Sequence, residues 1–192
     1  MTSSRSRLQR SHVLRTAVMV GLLLLTMATV ASAQSEVTPE QKIKVAYLYN
    51  FIRYVQWPDS TFLDKEAPFV IGILDDDPHS QLLERIAKRK LARGRTIVVR
   101  RFTDVNQIRD CHLVFLSDST KPNEVADVIT RTEQQHSLLV CDIVATPNKD
   151  APIQFYYDQD GTIGLKINIA AMERRDLKAD AKLLNVASVV RG

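Results

Sequence analysis

The sequence lacks the short motifs that mark most catalytic and nucleotide-binding sites. It contains no G-x-S-x-G nucleophile elbow, no Walker phosphate loop, no G-x-G-x-x-G fingerprint and no Cys/His/Asn constellation. The three histidines beyond residue 33, His79, His112 and His136, are widely spaced and form no metal-ligand pattern. We therefore predict that the protein is not an enzyme and has no catalytic residue, cofactor or metal site.

Beyond residue 33, the sequence also lacks any run that is apolar enough to span a bilayer. Four arginines precede an apolar run from Ala17 to Val30, and Ala31-Ser32-Ala33 supplies the small residues of a cleavage site. The apolar run is short for a membrane span. Residues 1–33 are therefore predicted to be a cleaved signal peptide, with residues 34–192 exported as one domain to a bacterial periplasm. An uncleaved signal anchor is the alternative.

An excess of positive charge is absent once that segment is removed. Removing its four arginines from the 26 basic residues leaves 22, which equals the 22 acidic residues. The calculated pI of 9.1 therefore belongs to the precursor. A general nucleic-acid role loses its global support, and we predict no nucleic-acid partner.

A local cluster of basic residues lies between residues 85 and 101. Its members are Arg85, Lys88, Arg89, Lys90, Arg93, Arg95, Arg100 and Arg101. Such a cluster can bind nucleic acid or anionic lipid, but it lacks interleaved aromatic residues for base stacking. A solvated helix face and an edge strand protected by charge account for it. An acidic protein partner remains the alternative.

Alternating strand and helix patterns follow from residue 69 onward. Strands are predicted at 69–74, 96–100, 112–116 and 137–141, with helices reaching about residue 90 and spanning about 122–134. This rhythm is typical of βαβ units in a parallel sheet. Segments 153–157 and 162–168 flank an Asp-Gly turn and predict an antiparallel hairpin. Two short helices are predicted around 170–174 and 181–190. The fold class is α/β: a single Rossmann-like three-layer domain with a mostly parallel sheet and a C-terminal antiparallel hairpin.

Only two cysteines are present, Cys111 and Cys141. An oxidising compartment permits a disulfide between them. The predicted topology places them at opposite ends of neighbouring strands, about 15 Å apart at about 3.3 Å per residue. A disulfide needs Cα atoms within about 7 Å. We predict two free, mostly buried thiols, with an internal bridge as the alternative and redox candidate.

The stretch from Ile43 to Pro58 is the most aromatic part of the chain and holds the only tryptophan. Thr38, Pro39 and Gln41 predict a helix start with a capping box, and the helix is predicted to continue until Pro58. At about 100° per residue, Val45, Leu48, Tyr49, Ile52 and Val55 share one face, and Tyr47, Phe51 and Tyr54 lie nearly opposite. Two apolar faces need two covering surfaces. Tyr47, Phe51, Tyr54 and Trp57 are therefore candidate contacts with a partner or a dimer, with burial in the core as the alternative.

Acidic and hydroxyl residues follow the ends of the predicted strands. They are Asp75, Asp76, Asp77, Ser117, Asp118, Ser119 and Asp142. Open parallel sheets bind ligands at this edge, and clustered acids there resemble a phospho-receiver domain. Against that hypothesis, we find no lysine after a following strand to pair with a phosphate. Helix capping also explains these residues. A small-ligand-binding or receiver-like switch is therefore the alternative function.

Residues 42–190 closely resemble the YfiR-like family of periplasmic proteins. The matching landmarks are Ala46-Tyr-Leu-Tyr-Asn-Phe51, Trp57-Pro58, Phe69-Val-Ile-Gly-Ile-Leu74, Asp76-Asp77-Pro78, Gly94-Arg95, Asp110-Cys-His-Leu-Val-Phe115, Lys166-Ile-Asn-Ile169 and Leu183-Leu184. The first and last landmarks are specific, whereas the strand matches alone are weak.

This resemblance implies a non-enzymatic repressor that binds the periplasmic sensor domain of an inner-membrane diguanylate cyclase. Such binding holds the cyclase inactive, so that cyclic-di-GMP and biofilm formation stay low. The resemblance also implies an OmpA-like outer-membrane lipoprotein that sequesters the repressor. Some members are homodimers with redox-sensitive disulfides; the two cysteines here are unfavourably placed for that control.

Overall fold

The structure is a computed structural model that describes residues 37–74, 77–118, 120–142 and 150–191. The predicted signal peptide at residues 1–33 lies outside the described residues. From residue 37 onward the chain forms one compact unit. No helix in these described ranges has the length and apolar character needed to cross a membrane.

Five α-helices, two short 3-10 helices (Asp59–Thr61 and Val105–Gln107) and nine strands are assigned within the described ranges. The helices are α1 (Pro39–Tyr54), α2 (Ser80–Ala87), α3 (Pro122–Gln134), α4 (Ile169–Glu173) and α5 (Ala181–Leu184). The strands are β1 (Val55–Gln56), β2 (Phe69–Leu74), β3 (Ile97–Phe102), β4 (Leu113–Leu116), β5 (Leu138–Cys141), β6 (Ile153–Tyr157), β7 (Ile163–Asn168), β8 (Lys178–Ala179) and β9 (Ser188–Val190).

Seven strands form the central sheet in the order β3-β2-β4-β5-β6-β7-β9. All neighbouring pairs are parallel except the antiparallel hairpin of β6 and β7. The buried strands β2, β4 and β5 are continuous apolar runs, as expected for strands covered on both faces. The predicted fold class, a mostly parallel three-layer α/β domain with a C-terminal hairpin, is confirmed.

Two apolar clusters lie on opposite faces of this sheet. Helices α1 and α2 pack on one face with inward side chains such as Ile71, Phe115 and Ile153. Helix α3 packs on the other face with side chains such as Val114 and Leu139. Alternate residues of each strand point to opposite faces, which is why adjacent residues of β4 belong to different clusters.

Helix α1 begins where the sequence predicts, but it ends before the predicted end at Pro58. The hydroxyl of Thr38 accepts a hydrogen bond from the Gln41 N–H at 3.1 Å, and the Gln41 side chain accepts one from the Thr38 N–H at 3.0 Å. The prediction that the helix continues to Pro58 is wrong, because Val55 is already extended and pairs with Ala179 in a two-stranded antiparallel sheet. Trp57 precedes a proline, a position that disfavours helical backbone.

The predicted C-terminal helix over 181–190 is also shorter in the structure. Helix α5 covers only Ala181–Leu184, and Ser188–Val190 forms β9, parallel to β7. Two consecutive β-branched residues favour a strand, and pairing with β7 satisfies backbone groups that a short helix leaves open.

The basic cluster lies at one edge of the sheet. Strand β3 is the edge strand, and Arg101 pairs with Glu84 of α2 at 2.8 Å. Arg95 donates hydrogen bonds to the carbonyl oxygens of Asp64, Lys65 and Ala67. Several of these cations therefore bind within the domain, which supports the interpretation of a charged edge strand.

The histidine at the start of β4 is buried among aromatic rings. His112 Nδ1 accepts a hydrogen bond from the Val70 N–H at 3.0 Å, and Nε2 lies 3.2 Å from the Thr61 carbonyl oxygen. Its ring stacks on Phe62 at a centroid distance of 4.3 Å. Burial lowers the pKa of His112 to about 4 from 6.5, against a smaller opposing effect of the Thr61 carbonyl. Protonation would abolish the acceptor at Nδ1.

We expect acid to destabilise the fold through His112. As the pH falls, the unfolded chain binds the proton before the folded one does. Neutral His112 therefore contributes fully to the free energy of unfolding above about pH 6.5. This contribution is lost progressively towards about pH 4, by up to about 3 kcal/mol. Urea unfolding between pH 4 and 7 measures this loss. In His112→Asn, whose side-chain oxygen can replace Nδ1 as acceptor, the pH dependence should shrink; an identical dependence in both proteins contradicts the assignment.

Candidate partner-binding surface

Helix α1 is fixed to the sheet by one fully buried face. Val45, Leu48, Phe51 and Ile52 are fully buried against β-strand side chains. Their spacing repeats every three to four residues, so they form one continuous stripe on the helix. Lys44 is buried beside this stripe, whereas Ile43 and Ala46 face outward.

The four aromatic candidates have different environments. Phe51 is 0% exposed and Trp57 is 8% exposed, and both lie in the domain's own core. The Trp57 indole donates to the His112 carbonyl oxygen at 3.0 Å and meets Phe69 edge to face. Tyr47 and Tyr54 are half-buried. Among the four, these two tyrosines are therefore the side chains with surface available for a partner.

Tyr47 is held in place by the core beneath it. Its ring stacks on Phe51 at 6.0 Å and meets Phe155 of β6 edge to face at 5.8 Å. Such aromatic pairs add stability beyond the burial of their area. One side of Tyr47 thus continues the core, and the other contributes to a groove on the surface.

This groove lies between α1 and the segment around α5 and has a volume of about 410 Å³. Its lining residues are Ile43, Ala46, Tyr47, Asn50, Tyr54, Lys182, Leu183 and Val186. Ile43 is 45% exposed and Val186 is 59% exposed, which is high for large aliphatic side chains. We call this feature the α1–α5 groove.

The chemistry of the α1–α5 groove suits a protein surface better than a reaction. Its floor is apolar, and Asn50 and Lys182 supply an amide and a cation. The Arg53 guanidinium lies over the ring of Tyr54 at 5.2 Å and adds positive charge beside this lining residue. An apolar centre with a polar rim is the usual composition of a protein-binding patch.

Sequence reasoning found only one wall of this groove. Leu183 and Val186 come from a part of the chain more than 120 residues away from α1. The contact depends on the pairing of β1 with β8 and on a hydrogen bond from the Asp180 N–H to the Tyr54 carbonyl oxygen at 2.8 Å. In the sequence, the aliphatic residues that follow Leu184, such as Val186, could have indicated this second wall.

The acidic and hydroxyl residues that were predicted to follow the strand ends do not share one environment. Asp75, Asp76 and Ser119 lie outside the described residues. Asp118 is exposed, whereas Asp77, Ser117 and Asp142 are buried. Asp77 accepts hydrogen bonds from the backbone N–H and from Nδ1 of His79, at 2.8 and 2.7 Å.

Asp142 is paired with Lys44 from α1. Lys44 Nζ lies 2.6 Å from Asp142 and 2.5 Å from Glu40. Burial lowers the pKa of Lys44, but the hydrogen bonds to Asp142 and Glu40 outweigh it, so that this pKa is raised. Hydrogen bonds from Lys44 and from Tyr157 lower the pKa of Glu40.

The two cysteines are free, buried thiols. Cys141 is in register with Leu116, whereas Cys111 precedes Leu113. Five residues of extended chain separate these levels by about 16 Å, which is too far for a disulfide. Burial raises the pKa of each thiol to about 12, with smaller effects of neighbouring charges.

The three histidines among the described residues lie in different surroundings. His79 bonds Asp77, His112 lies among aromatic rings, and His136 contacts Asp176 at 3.1 Å. In the part of the chain that the structure describes, no group of three or more His, Cys, Asp or Glu side chains is placed to hold a metal ion.

The fold and the groove together define a small α/β protein with a surface suited to binding another protein. A sequence profile of the YfiR/HmsC-like family matches residues 41–188, and the chain belongs to this family. The family is periplasmic, regulatory and non-catalytic.

Other comparisons add little. No curated protein matches the chain. A solved structure, a conserved domain protein from Vibrio cholerae O1 biovar El Tor, is 13% identical with a TM-score of 0.42 and aligns over 64% of this chain. The chain spans 55% of the length of that structure.

Truncation of Phe51 should affect stability, whereas truncation of Ile43 should not. Phe51→Ala leaves a cavity among Tyr47, Phe155 and the sheet, and should cost about 3–5 kcal/mol in the free energy of unfolding. Ile43→Ala, about two turns away on the exposed side of α1, should change it by less than about 0.5 kcal/mol. Urea unfolding measures both. Equal effects would contradict the division between core and groove.

The thiols should be unreactive in the native protein. With a pKa of about 12, neither Cys111 nor Cys141 has an appreciable thiolate fraction at pH 8. Ellman's reagent should release little product from the folded protein and two equivalents per chain after unfolding without reductant. Absence of reaction in the unfolded protein would reveal a disulfide.

Proposed function

We propose that this protein binds the periplasmic sensor domain of an inner-membrane diguanylate cyclase and represses it. Repression lowers cyclic-di-GMP and biofilm formation. Family membership supports the partner class, and the exposed apolar α1–α5 groove is the single structural observation that carries the contact. The proposal includes export to the periplasm through the N-terminal signal peptide.

The groove has the properties of the part of an interface that supplies most of the binding free energy. Tyr47 and Tyr54 present aromatic surface whose positions are already fixed, so little side-chain entropy is lost on binding. Ile43 and Val186 add aliphatic area that water covers in the free protein. A partner side chain that displaces this water gains about 25 cal/mol for each Å² of apolar surface buried.

The positively charged side chains at the rim of the groove favour a partner with negative charge. Lys182 lies in the lining, and Arg53 lies over the ring of the lining residue Tyr54. An apolar segment flanked by acidic side chains therefore fits this surface best, since complementary charge at a rim favours the correct partner. We propose that the cyclase sensor domain binds in the α1–α5 groove.

Two further partners belong to the same proposal. An OmpA-like outer-membrane lipoprotein would sequester the repressor, and a second copy of the chain would form a homodimer. If either uses the α1–α5 groove, its binding excludes the cyclase, since one apolar surface cannot be covered twice. Loss of dimerisation by a groove variant that still represses would assign the groove to the homodimer instead.

Placing a charge in the groove should abolish repression. Val186→Asp puts an unpaired carboxylate against the apolar lining, and should weaken partner binding by about 2 kcal/mol or more, which is about thirtyfold. In cells that lack the gene, cyclic-di-GMP and surface attachment should be high; the wild-type protein should lower both, and Val186→Asp should not.

Val98→Asp is the matched control. Val98 is 41% exposed on the edge strand β3, at the far edge of the sheet from β9. The same change in charge and size there should leave repression intact. Equal expression and equal melting temperatures of the two variants exclude a folding defect. Full repression by Val186→Asp would overturn the assigned surface, and unchanged cyclic-di-GMP on deletion would overturn the function.

A further inference from the structure

A cleft with a volume of about 170 Å³ lies beside the only tryptophan of the chain. It brings together residues from the segment after β1, from the start of β2 and from the turn before β3. Its lining residues are Trp57, Asp59, Phe62, Phe69, Arg93 and Arg95. The lining thus combines three aromatic rings with two cations and one carboxylate, and none of these residues lines the α1–α5 groove.

The aromatic walls of the cleft are fixed by the core. Trp57 and Phe69 are buried and meet edge to face at a centroid distance of 4.8 Å. The centre of the Phe62 ring lies 4.3 Å from that of His112 and 4.0 Å from the guanidinium carbon of Arg95. Two groups this close to one ring centre cannot share a face, so Phe62 is packed between them. The Trp57 N–H is already donated to a carbonyl oxygen, and the walls therefore offer apolar surface.

Arg95 is oriented by contacts that use only part of its guanidinium group. Its Nη1 donates to the carbonyl oxygens of Asp64, Lys65 and Ala67 at 2.8, 3.0 and 2.8 Å. Among the described residues, its Nε and Nη2 groups have no hydrogen-bond partner and form no ion pair. A guanidinium held in one orientation therefore keeps donors for a further partner, and a planar carboxylate matches this fork of donors.

The second cation, Arg93, occupies a backbone position that suits other residues better. Ala92 and Arg95 exchange two backbone hydrogen bonds of 2.9 Å, so that Arg93 and Gly94 form a two-residue turn. Both have positive φ, 53° and 82°, which is the pattern of a type I′ turn and favours Asn-Gly or Gly-Gly. Arginine is therefore locally unfavourable here. Its Nη1 donates to the Val55 carbonyl oxygen at 2.9 Å, and this contact holds the guanidinium in the lining.

The charges of the lining favour an anion. Two arginines against Asp59 leave one positive charge in excess, and among the described residues Asp59 forms no ion pair with either arginine. An anion bound here gains charge-assisted hydrogen bonds, and an apolar group attached to it removes ring surface from water. The volume limits the ligand to a few non-hydrogen atoms, since an apolar cavity of about 150 Å³ holds one benzene molecule.

We propose that this cleft binds a small carboxylate that carries an apolar group. The carboxylate pairs with the two arginines, and the apolar group packs against the three aromatic rings. Inorganic phosphate would use the cations but not the rings, so it fits the lining less well. The site shares no residue with the α1–α5 groove and is independent of the cyclase proposal.

The fluorescence of Trp57 tests this proposal directly, because this side chain lines the cleft and is the only tryptophan. Titration of the purified protein with sodium isovalerate at about pH 7.5, where the acid is ionised, should change the fluorescence in a saturable way. Isovaleramide has nearly the same shape without the charge and should give no saturable change at equal concentration. Acetate lacks the apolar group and should bind about tenfold more weakly or less.

Arg93→Asn and Arg89→Asn form a matched pair of variants. Both remove an exposed arginine of the basic cluster, but Arg89 does not line the cleft. Arg93→Asn should weaken isovalerate binding by about tenfold or more, whereas Arg89→Asn should leave it unchanged. Asn-Gly suits the turn, so Arg93→Asn should keep the fold, and its melting temperature checks this.

Three results would overturn the proposal. Equal responses to isovalerate and isovaleramide, or none to either, would show that the cleft is not a carboxylate site. Inorganic phosphate that binds as tightly as isovalerate would overturn the ligand class and assign a general anion site. Equal weakening by Arg93→Asn and Arg89→Asn would show that the net charge of the domain, and not the cleft, attracts the ligand.

Discussion

A buried ion pair sets the orientation of α1, and much of the surface depends on that orientation. Lys44 reaches Asp142 at 2.6 Å just after β5, where both side chains are almost fully enclosed. Rotation of α1 about its axis would separate Lys44 from Asp142, and breaking a buried ion pair is costly. The helix therefore presents Ile43 and Ala46 to solvent and Leu48 and Ile52 to the sheet. The ion pair sets which residues a partner can contact.

Local sequence signals were sufficient for most of the fold. The capping box of Thr38, the apolar runs of β2 and β4 and the Asp-Gly turn each act over a few residues, and each is confirmed by the structure. The wrong boundaries at residues 55 and 188 have one cause. In both places a short segment becomes a strand because a partner distant in sequence pairs with it, and such pairing leaves little local signal.

The candidate surface was predictable only in part for the same reason. Helical spacing groups Tyr47, Phe51 and Tyr54, but it cannot show that β6 covers Phe51 and leaves part of Tyr47 open. At the strand exits, the pattern of consecutive acids does not distinguish Asp77 from its neighbours. Only the packed structure shows that Asp77 is buried against His79 while Asp118 stays in solvent.

The pairing of β1 with β8 has a mechanical consequence for recognition. It ties the end of α1 to the start of α5, and the Asp180 N–H to Tyr54 carbonyl bond reinforces the junction. The two walls of the groove are thus clamped together at one end, and prising them apart would break backbone hydrogen bonds. A clamped groove selects its ligand by shape instead of adapting to it. Because the groove is already ordered in the folded protein, binding costs little additional conformational entropy. Tight and selective association then needs only a small contact surface.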